Sequence, residues 1–471
     1  MQPSINQICK QARSVGFTFS EEKTSCMHFC RLRRPHYDPL LYLEETPIRC
    51  PRTIKFLGII FDSTHTWKQH ILSLKQKCMK SLDILKVLSH TKWGAEPKML
   101  LTLYQSLILS RIDYGCVVYG SACKSSLNIL NSIHNAALRY CLGAFPTSPV
   151  EGLYCEANIP SLEDRRKIRL SNYMTKILAL DEHPYNKICM REAENHPPFS
   201  RSAFGRYREY LRIREVDPPQ LLRLESSEIP PWKCPPPVVN FELAQFKKGE
   251  ISNTHWQQSF LDIKNRENVD FVINTDGSKT NDGVGCAFAT EDKTFSWTLR
   301  EVTLLWVPSH VGIAGNEKVD NAAQEASSKD VVDVTMVKPS DYQAYLKSII
   351  LKEWQQRWQN LNKNLYRIKP LAYGKYLRVE LDRTSLTKTH RLRIGHTALT
   401  HKHLLTGEDA PLCADCQVRL TVEHIVCDCP RYEPQRHLFN LVRPYGENLK
   451  DKQSIANCLN FLKAVNLFNE I

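Results

Sequence analysis

The sequence contains no run of about 18 uncharged apolar residues, the length that a membrane-spanning helix needs. Its first residues, MQPSINQICKQARSV, lack the apolar core of a signal peptide. We therefore expect no membrane span and no secretion, and a cytoplasmic or nuclear location. Apolar residues make up 42% of the chain and charged residues 24%, which favours folded domains.

Acidic residues are too few to balance the basic ones. The chain has 50 acidic and 63 basic residues, for a net charge of +13. Such an excess favours a polyanionic partner, above all nucleic acid. The alternative is a basic surface that is simply solvated. The 17 cysteines are odd in number and irregularly spaced. This pattern predicts mostly reduced thiols, with a clustered few available to bind metal.

Apolar residues recur every three or four positions in three stretches between residues 68 and 143, which predicts a bundle of amphipathic helices. Their apolar faces are Ile71, Leu74, Cys78, Leu82, Leu85 and Leu88; Leu100, Leu103, Leu107 and Ile108; and Leu127, Leu130, Ile133, Ala137 and Cys141. Before this bundle, IKFLGIIFD (54–62) predicts a short strand. Residues 340–471 are predicted to be mostly helical.

Proline is concentrated in residues 195–262, in HPPF, VDPPQ and IPPWKCPPPVV. Consecutive prolines lack backbone donors and disfavour helix in the residue before them. We therefore predict an extended linker and a domain boundary in this stretch.

A strand pattern follows the proline-rich stretch. VDFVINTDGS, GVGCAFAT and TFSWTL predict a three-stranded meander. After Gly315, NEKVDNAAQEASS predicts a helix capped by Asn316, with Val319, Ala322, Ala323 and Ala326 on one face. Between these parts, the strand-like runs 294–299 and 302–307 are separated only by Arg300 and Glu301.

Three residues in this region are candidates for chemistry. Asp276 ends a predicted strand and precedes a glycine, a suitable place for a metal ligand. His310 lies on a glycine-rich loop, and Asp320 lies in the following helix. The alternatives are a turn aspartate that bonds its own backbone and a carboxylate that interacts with the helix dipole.

WVPSHVGIAGNEKVDNAA and NTDGSK resemble the end and the start of a type 1 ribonuclease H (RNase H) domain of jockey-like non-LTR retrotransposons. The resemblance implies a magnesium-dependent endonuclease, a hydrolase that cleaves RNA in an RNA–DNA hybrid. It also implies that Asp276 and Asp320 are the first and last magnesium-binding carboxylates. His310 matches the loop histidine that helps product leave or water enter. The family's two middle carboxylates have no counterpart in this sequence.

The short join at Arg300–Glu301 indicates an internal deletion. In the family the two flanking strands are parallel, and parallel strands need a crossover of about a dozen residues or more. A six-residue strand is about 20 Å long, whereas two residues span only about 7 Å. We therefore expect weak magnesium binding and an impaired nuclease.

The N-terminal part resembles the reverse transcriptase of the same elements downstream of its active site. GFTFSEEKTSCMHFCRLR and IKFLGIIFDSTHTWKQHI are similar to the end of the palm, and DYGCVVYGSA and IHNAALRYCLGAFPTSPV to the thumb and the segment after the thumb. The polymerase's Tyr-x-Asp-Asp type turn is absent, and by this resemblance it would precede Met1. We therefore expect no polymerase active site.

A cysteine–histidine set lies near the C-terminus, in CADCQVRLTVEHIVCDC. Cys413, Cys416, His424 and Cys429 have the ligand types and spacing of a tetrahedral zinc site, with Cys427 as an alternative fourth ligand. The other interpretation is a group of buried thiols. The surrounding segment resembles the C-terminal tail of the same elements, where Arg391, Arg393, His396 and His401 would contact phosphates, although the two histidines also fit packing roles.

The sequence as a whole predicts an α+β multidomain protein. Its expected parts are the end of a palm (1–66), a helical thumb-like bundle (67–190), a Pro-rich linker (195–262), a truncated RNase H-like mixed sheet with a helix (265–330) and a mostly helical C-terminal region (340–471) with a zinc segment (413–429). The expected function is that of a retroelement-derived, nucleic-acid-binding protein with impaired RNase H activity. Two alternatives remain: a non-enzymatic nucleic-acid-binding protein that uses its basic surface and zinc segment, and a relic whose central domain does not fold.

Overall fold

The computed structural model describes residues 1–30, 37–195, 201–223, 238–247, 249–267, 272–279, 284–290, 303–327, 336–361, 364–374, 377 and 379–471. Within these ranges the protein is α+β, with many helices and few strands. The chain divides into two compact units. Unit 1 comprises Met1–Pro218 and Lys338–Ile471, and unit 2 is Pro219–Val337. No helix in these ranges is both long and apolar enough to cross a membrane.

The helices of the described residues are numbered in chain order. They are α1 Gln2–Ser14, α2 Lys68–Leu88, α3 Pro97–Tyr104, α4 Ser110–Asp113, α5 Cys116–Tyr119, α6 Lys124–Leu142, α7 Val150–Ala157, α8 Leu162–Leu178, α9 Pro184–Asn195, α10 Ala203–Ile213, α11 Asn253–Arg266, α12 Ala314–Ser327, α13 Pro339–Gln359, α14 Asn364–Ile368, α15 Arg383–Ile394, α16 Ala398–His401, α17 His403–Thr406, α18 Glu433–Leu438 and α19 Lys452–Ala464. A π-helical turn, Gln105–Leu109, joins α3 to α4.

The strands are short and form two-stranded sheets. They are β1 Tyr42–Leu43, β2 Thr46–Pro47, β3 Thr53–Phe56, β4 Ile59–Asp62, β5 Val238–Asn240, β6 Ile273–Lys279, β7 Val284–Thr290 and β8 Thr303–Leu305. The pairs β1–β2, β3–β4 and β6–β7 are antiparallel, and β5–β8 is parallel. Residues 54–62, predicted to form one strand, instead belong to the β3–β4 hairpin, because Leu57 and Gly58 turn the chain with positive φ angles.

The predicted helical bundle of unit 1 is confirmed. Helices α2, α3 and α6 bury their apolar faces in one core, and all five residues predicted to line the face of α6 are buried. Leu88 and Leu107 depart from the prediction, since they are 37% and 36% exposed. Removing the remaining apolar side chains from water is the main stabilising contribution of this bundle.

The C-terminal region is mostly helical, as predicted, and forms a second core in unit 1. Helix α19 contributes Ile455, Cys458, Phe461 and Leu462, which pack with residues of 422–426. Those residues belong to the segment that carries the cysteine–histidine set. The packing of this core therefore fixes the position of that segment in unit 1.

Unit 2 contains the β6–β7 hairpin, with helix α12 packed on both of its strands. Helix α12 approaches strand β6 closely at Gly315, where an added Cβ would lie 2.4 Å from Nδ2 of Asn274. A second cluster joins Trp256 and Ile263 of α11 to Val311 and Ile313. The hairpin confirms the first two strands of the predicted meander. The predicted third strand, 294–299, and the join at Arg300–Glu301 lie outside the described residues.

Two local predictions were wrong. Helices α10 and α11 lie in the stretch expected to be an extended linker, because each buries an apolar face that the prolines obscured: Phe204, Tyr207 and Tyr210 in α10, and Trp256 in α11. Helix α12 begins at Ala314, so Asn316 is inside the helix and is not its cap.

Candidate functional site

The cysteine–histidine set is built on a tight turn and a π-helical turn that comes after it. The backbone N–H of Cys413 donates to the carbonyl of Val418 at 2.8 Å, and Gln417, with φ +56°, donates to the carbonyl of Cys413 at 2.9 Å. These bonds place Cys413 and Cys416 on one side of the turn. His424 begins the π-helical turn His424–Asp428, and the N–H of Cys429 donates back to the carbonyl of His424 at 2.8 Å.

The four predicted zinc ligands converge. The Sγ atom of Cys429 lies 3.7 Å from that of Cys413 and 3.9 Å from that of Cys416. One ligand atom from each of Cys413, Cys416, His424 and Cys429 lies within 4.8 Å of all the others. Ligands held roughly 2.3 Å from a central zinc ion in a tetrahedron are about 3.7–3.8 Å apart. The spacing of the sulfur atoms therefore fits a zinc ion.

The alternative ligand Cys427 points elsewhere. Its Sγ atom lies 3.8 Å from both the carbonyl of Val442 and Nδ2 of Asn448, and it is not among the four converging residues. The π-helical turn sets this difference, because residues two apart on a helical turn face different directions.

Two properties of the set suit metal binding. Nε2 of His424 is buried and has no hydrogen-bond partner among the described residues, and a buried polar atom of this kind needs an explanation such as an ion. Burial alone would raise the pKa of the Cys413 thiol, but the backbone N–H of Cys416 helps to lower it to about 6. A lowered pKa favours the thiolate, which is the form of cysteine that binds metal.

A second cluster lies in unit 2 and joins two of the predicted RNase H residues. Nδ1 of His310 is 3.0 Å from Oδ2 of Asp320 and 3.7 Å from Oε2 of Glu317. Asp320 is buried, and Gln324 also donates to its carboxylate, at 3.4 Å. The loop approaches the helix because His310 and Gly312 both have positive φ angles.

Glu317 was missed in the sequence. The signal was its position three residues before Asp320 in the same helix, a spacing that puts both carboxylates on one face. Its other oxygen accepts from the backbone N–H of Gly312 at 3.0 Å, which fixes the loop to the helix.

Asp276 lies on β6 opposite Ala287 of β7. Its Oδ1 accepts from the N–H of Gly277 at 2.7 Å. The group of metal-capable side chains around His310 does not include Asp276, although both are among the described residues. The structure thus brings together His310 and Asp320 but does not add Asp276 to them.

The predicted phosphate contacts in α15 need correction. Arg393 is only 5% exposed, and its guanidinium donates to the buried carboxylate of Glu156 at 2.7 Å and to the carbonyl of Leu449 at 2.6 Å. Arg391 is half-buried and donates to the carbonyls of Gly143 and Ile471. Arg393 therefore stabilises the interior of unit 1 and cannot reach a phosphate.

The two nearby histidines stack on each other, with ring centroids 3.6 Å apart for His396 and His401. Burial, and then the charges of His403 and Arg419, lower the pKa of His401 to about 4. His401 is consequently neutral at physiological pH and contributes no charge to phosphate binding.

Known proteins resemble the chain at low identity. No protein-family model matches it, and no solved structure matches it significantly. It is 25% identical over 213 residues to the probable RNA-directed DNA polymerase from transposon X-element of Drosophila melanogaster, covering 44% of this chain and 21% of that protein. It is 27% identical over 190 residues to the RNA-directed DNA polymerase from mobile element jockey of Drosophila melanogaster, covering 39% and 20%. A third relative is the retrovirus-related Pol polyprotein from type-1 retrotransposable element R1 of Bradysia coprophila, 24% identical over 183 residues and covering 38% and 18%.

The matches span about a fifth of the length of these relatives, between 18% and 21%. All of them are polymerases or polyproteins of mobile elements, which agrees with the resemblance noted in the sequence. The chain is a distant homologue of RNA-directed DNA polymerases of mobile elements such as jockey, and this similarity supports a retroelement origin.

Proposed function

We propose that this protein binds nucleic acid through a zinc-stabilised C-terminal segment. We further propose that its RNase H-like part is an impaired relative of an RNA–DNA hybrid ribonuclease. The observation that carries the first proposal is the convergence of Cys413, Cys416, His424 and Cys429 within 4.8 Å. A bound zinc ion would hold together a segment that has little secondary structure of its own.

Basic side chains around the zinc segment support nucleic acid as the partner. Lys402, Arg419 and Arg431 are all exposed. Arg431 is paired at 3.3 Å with Asp415, which lies in the turn between Cys413 and Val418, and both side chains are about half exposed. Exposed arginines and lysines of this kind contact phosphates without reading sequence. The net charge of +13 and the names of the relatives point the same way.

The proposed RNase H ancestry rests on Asp276, His310 and Asp320. Magnesium binds mainly through carboxylates and keeps several of its waters, so a site with half its acidic ligands holds it weakly. The imidazole of His310 lies beside the carboxylates of Asp320 and Glu317. A site that contains an imidazole suits transition metals better than magnesium. We therefore propose that any magnesium binding is weak and that hybrid cleavage is lost or severely reduced.

The zinc proposal is tested by metal analysis together with binding measurements. The purified chain should contain one zinc ion, and its affinity for a labelled RNA–DNA hybrid should fall steeply between about 50 and 200 mM salt. Cys413→Ser combined with Cys416→Ser should remove the zinc and weaken binding. Cys123→Ser, which changes an exposed cysteine outside the set, is the matched control.

Charge near the segment is tested separately. Arg419→Gln combined with Arg431→Gln should weaken binding and reduce its salt dependence. Lys347→Gln combined with Lys352→Gln removes the same charge from exposed positions of α13 and should have a smaller effect. A chain without zinc, or one whose binding is unaffected by loss of the zinc, would contradict the proposal.

The impaired nuclease is tested with a labelled RNA–DNA hybrid and magnesium. The wild-type chain should cleave no faster than Asp276→Asn or Asp320→Asn. Magnesium-dependent cleavage that either substitution abolishes would show an active enzyme and would overturn this part of the proposal.

A further inference from the structure

Unit 1 contains an open cavity of about 820 Å³ that the proposed function leaves unused. This volume lies within the range of roughly 300–1,000 Å³ found for small-molecule sites. Its walls come from the chain before α2, from α5, α8 and α9, and from the start of α10. The residues that matter are Trp67, Tyr173, Tyr185, Arg201, Ser202 and Arg206.

One wall of the cavity is aromatic. Tyr173 and Tyr185 have ring centroids 6.5 Å apart, and the Tyr173 side chain is 40% exposed. On another part of the wall, the rings of His65 and Trp67 are nearly parallel, with centroids 5.6 Å apart. An exposed aromatic face such as that of Tyr173 stacks on nucleic acid bases, largely independently of base identity.

Two guanidinium groups at the cavity have no carboxylate partner among the described residues. Arg201 is exposed and lies just before α10. Arg206 is half-buried and donates to the carbonyl of Val117. Its buried Nε atom has no hydrogen-bond partner in the described part of the chain. Burial lowers the pKa of Arg206 and nearby Arg166 lowers it further, whereas Cys116 and Tyr185 oppose these effects. The described residues that line the cavity include both arginines and no acidic side chain, so the lining is positively charged. An anionic group would offset this charge.

We propose that this cavity binds an unpaired nucleotide of a single-stranded nucleic acid, with the base against the aromatic wall and the phosphate at Arg201 and Arg206. A simple anion would not use the aromatic wall, and an uncharged apolar ligand would leave the arginines unpaired. The cavity is open to solvent, as a nucleotide that belongs to a longer strand requires. The inference goes beyond the proposed function, because no residue of the zinc set lines the cavity.

Binding of a fluorescently labelled single-stranded oligonucleotide to the full chain tests the inference. Tyr173→Ala should weaken binding about fivefold or more, since stacking on one aromatic side chain contributes this much or more. Arg201→Gln should also weaken binding and should reduce its salt dependence, because it removes a contact with phosphate. Two controls change the same residue types outside the cavity. They are Tyr345→Ala on the exposed face of α13 and Arg208→Gln, an exposed arginine of α10. Both should bind the oligonucleotide nearly as the wild type does.

Photocrosslinking identifies the contact directly. An oligonucleotide that carries a photoreactive base should crosslink to peptides containing Trp67, Tyr173 or Tyr185, and excess unlabelled single strand should compete. Crosslinks confined to other peptides, or cavity variants that bind like their controls, would overturn the inference. Saturable binding of adenosine monophosphate without competition by single strands would also overturn it and would indicate a free nucleotide as the occupant.

Zinc content separates this inference from the proposed function. The cavity variants should keep their zinc ion while their single-strand binding is weakened. The Cys413→Ser, Cys416→Ser chain should lose zinc but still give the cavity crosslinks. If the zinc proposal fails and these crosslinks persist, the cavity inference stands independently.

Discussion

The Sγ atoms of Cys413 and Cys429 lie 3.7 Å apart although sixteen positions separate the two residues in sequence. The connecting chain first turns at Gln417 and then forms the π-helical turn from His424. This arrangement selects Cys429, and not its neighbour Cys427, as the fourth member of the proposed zinc site.

The choice between these two cysteines is the first prediction. Cys429→Ser should weaken zinc binding by more than ~100-fold. Altering a residue that only contacts a ligand weakens metal binding by up to ~100-fold, and removing a ligand itself should weaken it more. Cys427→Ser should leave the zinc content unchanged, since Cys427 faces Val442 and Asn448. Metal analysis after dialysis against a chelator measures both variants. Loss of zinc from Cys427→Ser with retention in Cys429→Ser would reverse the assignment.

The second prediction concerns the buried carboxylate of Glu156, which contacts Arg393 at 2.7 Å and His390 at 2.8 Å. Glu156→Gln should reduce the free energy of unfolding by about 3–5 kcal/mol, because Arg393 would remain buried without its counter-charge. Glu163→Gln changes a glutamate whose side chain is 68% exposed and should cost less than ~1 kcal/mol. Urea denaturation at neutral pH compares the two variants, and equal losses would contradict the burial argument.

The lowered pKa of Glu156 also predicts how the stability of the protein depends on pH. Burial alone would raise the pKa of Glu156, but the charge of Arg393 and the hydrogen bond with His390 hold it well below its usual value. The stabilisation from this group is therefore fully present above about pH 4.3, the unfolded pKa, and is lost as the pH falls below that value. Glu156→Gln should lack this part of the acid sensitivity.

The third prediction concerns His134, which is fully buried and shares a hydrogen bond with Tyr104. Burial, together with the charge of Arg165, lowers the pKa of His134 to about 3. The unfolded chain takes up this proton near pH 6.5 and the folded chain does not. Stability should therefore fall as the pH drops below about 6.5, by up to ~1.4 kcal/mol per pH unit from this residue.

Denaturation midpoints at pH 7.5, 6.5 and 5.5 measure this effect of His134. His134→Gln should flatten the dependence over this interval, although it lowers stability overall. His437→Gln, at an exposed position of α18, should keep the wild-type dependence. An unchanged slope in His134→Gln would assign the proton uptake to another group.

The fourth prediction concerns Gly143, which ends α6 with φ +63°. A Cβ atom there would lie 2.6 Å from Oγ1 of the buried Thr387 in α15. Gly143→Ala should therefore add about 1–3 kcal/mol of overpacking to the cost of the backbone conformation. Gly407→Ala provides the comparison, since Gly407 has φ +76° and no heavy atom of the described residues lies within 4 Å of its added Cβ. Equal destabilisation by both substitutions, measured by urea denaturation, would show that α15 moves away from Gly143 at little cost.

Much of unit 1 was predictable from the sequence because its helices are encoded locally. The apolar positions of α6 follow the helical period closely, and all five are buried as predicted. Helices α10 and α11 were missed because nearby prolines dominated the interpretation of the whole stretch. The prolines act only on adjacent residues, so the helical periods of Phe204–Tyr210 and Trp256–Ile263 persist between them.

The ligand types and spacing of the cysteine–histidine set, and the positive charge of the chain, were determined by the sequence itself. Only the tertiary structure selected Cys429 over Cys427, joined Glu317 to His310 and Asp320, and turned Arg393 inward to Glu156. Spacing along the chain limits which side chains share a turn or a helix face. Contacts between distant segments depend instead on how cores pack and on which buried charges must be neutralised, and these conditions are met only in the folded protein.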